Sequence, residues 1–210
     1  MQACILFIEC IISLYFCNSS RLFVSLQHNK HEQCRMERFE EWLHKDVHEY
    51  LTRRGAVDER LPECPDVEER WEAIAKAYLP DGVREFNQYP TASLGWMMYI
   101  GMALARMWDR DWLHYAQMED LYVYLRDKRG YDEMDEYIRE EILELNDDES
   151  SAIDKLTSDT AAHVLSFLRH QPIEPGTPEA FRAYVACLHQ LYLMGMATWL
   201  RRMGYHMTKV

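Results

Sequence analysis

The side chains best equipped for chemistry early in the chain are Glu41, His44 and His48. The two histidines are four apart and Glu41 lies one turn before His44, so a helix sets all three along one face. Imidazole and carboxylate groups at that spacing can ligate a transition metal. The run is His-Lys-Asp-Val-His, however, and lacks the glutamate that serves a zinc protease as general base. The pair also flanks an apolar stripe of Phe39, Leu43 and Val47, where histidines commonly border a core. Asp111 with His114 and Asp159 with His163 are two further carboxylate–histidine pairs at helical spacing. A di-iron bundle needs two Glu-x-x-His motifs and two more glutamates. Only Glu41-x-x-His44 has that form, so no cofactor is expected. Cys187 and His189 are two apart and diverge on a helix. The sequence contains no GxxxxGK[ST], GxGxxG or GxSxG, which removes the usual phosphate loops and the hydrolase elbow.

Two larger groupings are more distinctive. Asp132, Glu133, Asp135, Glu136, Glu140, Glu141 and Glu144 open an acid-rich tract that ends at Glu149, opposed within it only by Arg139. It reads either as a solvated helix face or as a docking face for a basic partner steered by charge. The second grouping is aromatic and sulfur-rich: Trp96, Tyr99, Met102, Arg106, Trp108, Tyr192, Met196 and Trp199. Those side chains either fill a core or line an apolar ligand pocket with Arg106 near its mouth.

The elements that must hold these groups read as helices throughout. Met36, Phe39, Leu43, Val47 and Tyr50 recur every three to four residues, giving a helix over 36–54 that Gly55 ends. Asp66 caps a second helix, and Pro80-Asp81-Gly82 reads as a turn. Residues 91–105 carry no charge and are apolar on every side, which places that helix inside something. Asp109 or Asp111 caps a following helix over about 112–129, ended by Gly130. Tyr131, Met134, Ile138, Ile142 and Leu145 mark the next, and Ser150 or Ser151 caps another with the stripe Ile153, Leu156, Thr160, Val164 and Phe167. Thr177-Pro178-Glu179 combines a capping hydroxyl, a first-turn proline and an acid, and starts a helix over about 178–203. Gly-Met-Ala occurs at 101–103 and again at 195–197, an echo explained by two buried helices of like composition or by duplication. No stretch alternates with period two. The expectation is an all-α fold: one compact antiparallel bundle of about seven helices, with 91–108 and 179–202 the most buried.

Residues 1–35 look foreign to the rest. Ala3 to Cys17 is apolar with Glu9 inside it, has no basic residue before it and is short for a membrane span. We read 1–35 as an extension outside the fold, from a mis-assigned start or a degenerate signal or anchor, with a native helix of the fold as the remaining reading, and 36–210 as the helical domain. The six cysteines show neither CxxC nor zinc-finger spacing, and the pair after Met36, Cys64 and Cys187, is expected to be reduced. A net charge of −12 argues against nucleic acid, which needs a basic face. The expected function is that of a non-enzymatic, soluble, cytoplasmic protein acting through contacts with a basic partner or a second copy, with no membrane contact for 36–210. The alternatives are a helical enzyme or small-ligand-binding protein using the Met/aromatic pocket, and a membrane-associated protein. If 1–35 is a true targeting segment, export or anchoring follows.

Overall fold

A helix apolar on all sides has no face for water, so it must be wrapped by others. In the computed structural model, which describes residues 26–62, 69–118 and 120–206, every residue from Ser93 to Ala105 is buried. The helix that carries them, α3 (Pro90–Ala116), packs against α2 (Trp71–Phe86), α6 (Asp147–Arg169) and α7 (Pro178–Arg202), while α1 (Leu26–Arg53) packs on α6 and α7. Two shorter helices, α4 (Leu121–Arg129) and α5 (Met134–Tyr137), and a π turn (Ile138–Ile142) close the remaining side. The described residues contain no strand. The all-helical bundle expected from periodicity is therefore present, with α3 and α7 as its most buried pair. None of the described helices is long and apolar enough to cross a membrane.

Cross-helix contacts give the directions. Tyr184 meets Ser93 near the starts of α7 and α3, and Tyr205 meets Asp109 beyond their buried parts, so the two run parallel. Arg35 pairs with Glu179, and Arg201 with Asp58 just past α1, so α1 runs the same way. α6 opposes them, with His163 on Asp46 and Asp159 on Arg54. α2 also opposes α7, its Trp71 on Tyr192 and its Phe86 on Tyr184. Antiparallel packing thus holds for α2 and α6, while α1, α3 and α7 all end at one end of the bundle.

The repeated Gly-Met-Ala marks where α3 and α7 cross. A Cβ on Gly101 would stand 2.1 Å from the carbonyl oxygen of Tyr192, and one on Gly195 would stand 2.1 Å from that of Met98. Each glycine lies under the carbonyl three residues before the other, a reciprocal contact with local two-fold character. Backbones this close exclude any side chain at either site. The echo in sequence therefore has a packing reason.

Several boundaries differ from expectation. Pro80 lies inside α2 instead of in a turn. Asp81, on the same helix, accepts hydrogen bonds from Tyr122 at 2.6 Å and Arg126 at 3.2 Å, and Tyr78 beside it is fully buried. These tertiary contacts outweigh the hydrogen bond that proline cannot make. The cap of α6 is Asn146, not Ser150 or Ser151. Asn146 Oδ1 accepts from Glu149 N while Glu149 reaches back to Asn146 N, a reciprocal pair the serines cannot form. The helix expected over about 112–129 is two pieces. Asp111 leaves helical geometry and caps the last turns of α3 through His114 N, and Asp120 caps α4 through Val123 N. Residues 134–142 form a short helix and a π turn that still bury Met134, Ile138 and Ile142. The caps at Gly130 and Thr177 stand as read. Helix α1 passes through Met36 without a break, and Arg35 already bonds α7. Ala3 to Cys17, Cys64 and Asp66 lie outside the described residues.

Candidate functional site

The structure gives the groups aligned by spacing separate partners. His44 turns its Nδ1 to Gln190 Oε1 at 2.9 Å, and His48 turns Nε2 to the carbonyl oxygen of Asp58 at 2.8 Å. Their rings are 6.0 Å apart, and Glu41 is exposed. Among the described residues no three His, Cys, Asp or Glu side chains converge as metal ligands would. Asp111 caps the backbone of His114, and His163 bonds Asp46 of α1 at 2.6 Å instead of Asp159. Cys187 is fully enclosed and burial pushes its thiol well up, which disfavours the nucleophilic thiolate. His189 stacks on Trp71 at 4.6 Å, and burial lowers its pKa.

The Met/aromatic set mainly fills the interior. Trp96, Tyr99, Met102, Tyr192, Met196 and Trp199 are all buried. Tyr99 donates to Asp154 at 3.0 Å. Arg106 leaves the core to meet Glu144 at 3.2 Å and Asp109 at 3.7 Å, and Trp108 is exposed against Tyr205. None of the eight candidates lines either of the two concavities described below.

The acidic tract is less negative in space than in sequence. Glu140 and Glu141 pair with Arg129, Asp135 with Arg139, and Glu144 with both Arg106 and Arg110. The Arg110 and Arg106 guanidiniums hold the Glu144 carboxyl below its usual range. Glu144 also sits at φ 55, the left-handed region that few residues other than glycine adopt. Asp132, Glu133 and Glu136 are exposed.

The larger concavity lies where α1 and α7 end. Gly55 takes φ 68 and lets Ala56 N reach back to Leu51 O at 2.9 Å, and Gly204 takes φ 91 with Tyr205 N on Leu200 O at 3.0 Å. Both helices thus stop in the same glycine-based cap. The first turns of α6 pass between them. The space enclosed is an open groove of about 680 Å³ with a floor of Ala56, Ala152, Ile153, Leu156 and Thr198. Around it stand Arg54, Lys155, Arg201, Arg202 and His206. Basic groups belong here in part because helix C-termini carry partial negative charge.

The rim is held in place by three carboxylates. Asp159 takes Arg54 at 3.2 Å and Lys155 at 3.5 Å; Asp58 takes Arg201 at 2.7 Å and His206 at 3.1 Å; Glu149 takes Arg202 at 2.5 Å. Burial opposes ionisation of Asp58, but hydrogen bonds from Arg201 and His206 outweigh it and hold its pKa below the usual range. Arg54 lies over the Tyr50 ring at 4.5 Å and Arg202 over Trp199 at 5.6 Å. Among the described residues four permanent cations face three carboxylates, so this part of the rim is net positive on a chain of charge −12. A second, smaller concavity of about 150 Å³ between α1, α2 and α7 is lined by Glu40, Trp71, Arg182, His189 and Gln190.

The groove is hard to see in the sequence because its cations are scattered over three segments. A signal was present: Arg53-Arg54-Gly55 and Arg201-Arg202-Met203-Gly204 end two helices alike. Only the parallel course of α1 and α7 brings those ends together. No protein-family model, curated protein or solved structure matches the chain.

Proposed function

We propose that this chain is a non-enzymatic helical binding protein of the cytoplasm, and that its working surface is the groove at the ends of α1 and α7. The observation that carries the reading is the combination of an apolar floor with a net positive rim on an acidic protein. Such a surface desolvates apolar side chains at its centre and steers an oppositely charged partner from its edge. The partner is a protein. Nucleic acid would meet the field of a −12 chain, and the basic area is too small to offset it. The volume of the groove falls in the range of small-ligand sites, which keeps a small amphipathic anion as the second reading. The open shape and a rim drawn from three segments favour the protein. The acidic turn at 132–144 is a weaker docking face, because Arg139 and the neighbouring Arg129 and Arg110 already hold Asp135, Glu140, Glu141 and Glu144.

A photo-crosslinking residue in place of Ala152, in the native host, tests this. Ala152 is an exposed part of the floor, while Ser158 and Glu136 are exposed positions off the groove. The reading expects protein adducts at 152 and none at 158. Adducts confined to 136 would move the working surface to the acidic turn. No protein adduct at any position would contradict a protein-binding role.

A further inference from the structure

The geometry points to the class of partner that the groove takes: a polypeptide segment that alternates apolar side chains with Asp and Glu. This inference rests on the groove being the working surface and adds the chemistry of its occupant.

Three observations carry it. The floor is hydrocarbon, so an occupant gains by burying apolar side chains there. The cations are set on three separate segments around that floor, so they match several negative charges spread along an occupant and not one head group. They are also ordered before anything binds. Arg54 is stacked on Tyr50, Arg202 on Trp199, and Arg201 is tied through Nε to Asp58. Ordered side chains lose little rotamer freedom when a partner arrives.

The carboxylates already present do not block this exchange. Arg54 and Lys155 share Asp159, and Arg201 and His206 share Asp58. A guanidinium has five N–H donors, and the Arg54 and Arg202 pairs each use one nitrogen. An incoming carboxylate can therefore add to these cations and leave the internal bonds intact. Lys155 is the most exposed of the rim cations with a recorded ion pair, at 77%. It is the first a diffusing acidic segment meets.

The test is fluorescence anisotropy with the full chain and three probes. The first is a labelled synthetic peptide with leucines at helical spacing and Glu and Asp between them. The second replaces every acid by Lys. The third is dodecanoate carrying the same fluorophore, titrated directly. The acidic peptide should bind saturably and weaken as salt rises, and the basic peptide should not bind. Lys155→Glu and Ala152→Glu should each reduce affinity by roughly tenfold or more, since one reverses a rim charge and the other sets a carboxylate over the floor. Both positions are exposed, so unchanged melting curves will show that the fold survives. Glu136→Lys, off the groove, should leave affinity unchanged. Equal binding of the basic peptide, or unchanged affinity in both groove variants, would overturn the inference. So would binding of dodecanoate with none of the acidic peptide, which would assign the groove to a small anion. Adducts at position 152 in cells without acidic-peptide binding would reject this partner chemistry alone. Loss of both would reject the groove as a working surface.

Discussion

Replacing Gly195 by alanine should destabilise the protein, although alanine is the better helix former by about 1 kcal/mol. The new Cβ would lie 2.1 Å from the carbonyl oxygen of Met98 and must retreat by about 0.9 Å to reach even the 3.0 Å below which real Cβ contacts essentially never fall. The obstacle is backbone, so no rotamer change relieves it. α3 and α7 must separate along their most extensive contact. A gap of 0.5–1 Å forfeits a quarter to a half of each contact energy. Spread over the facing sides of Met98, Met102, Tyr192 and Met196, that loss is about 3–4 kcal/mol. After the helix-propensity gain the net cost is about 2–3 kcal/mol, consistent with overpacked cores. For a chain of this size the melting temperature should fall by roughly 4–12 °C. Gly101→Ala should behave alike, since its Cβ would meet Tyr192 O at 2.1 Å. The double variant should cost less than both single costs combined by about 1 kcal/mol or more, because one separation relieves both clashes. Gly95→Ala is the control on the same helix. Its Cβ would sit 3.4 Å from Thr157 Cγ2, an ordinary contact, so stability should stay level or rise by up to about 1 kcal/mol. Thermal and denaturant unfolding of the four variants decides the matter. Gly195→Ala melting at or above the parent would refute the account of the crossing.

Three further outcomes follow from the same geometry. Asn146→Ala removes the capping box of α6 and should cost about 0.5–2 kcal/mol in denaturant unfolding, while Ser151→Ala, at an exposed position, should cost little. His189 has a pKa lowered by burial, so the unfolded chain binds its proton more readily. Its contribution to stability is present above the ordinary value of 6.5 and is lost as pH falls through the lower folded value; His189→Gln should flatten that part of a stability–pH profile. Asp58 also has a lowered pKa, so the stability it adds is present above its ordinary 3.8 and is lost as pH falls through its folded value. Asp58→Asn should therefore melt below the parent at pH 7, with the difference closing in strong acid.

The fold was legible where periodicity and caps agreed. The uncharged run around Trp96 to Ala105 announced a central helix, and Thr177-Pro178 announced α7, because those signals act within one turn. Pro80 misled because a proline reads as a local break, whereas Asp81 with Tyr122 and Arg126 and the buried Tyr78 act across helices. Asn146 competes in sequence with two serines as the cap, and the reach of Glu149 decides between them. The candidate site was much less legible. His44 and His48 share a face as their spacing says, but their partners, Gln190 and the carbonyl of Asp58, come from elsewhere in the chain. The acidic tract looked unopposed because Arg106, Arg110 and Arg129 lie outside it in sequence. The groove needed the mutual direction of α1 and α7, which no single segment encodes.

The proposed binding surface runs over Ala152 and Leu156, between the ends of α1 and α7. The most direct measurement is a backbone amide NMR titration of the full chain with the acidic leucine-bearing peptide. Saturable shifts should centre on Gly55, Ala56, Ala152, Lys155, Leu156 and Arg201, with the amides of 132–141 unmoved. Shifts centred on the acidic turn, or none at saturating peptide, would contradict it.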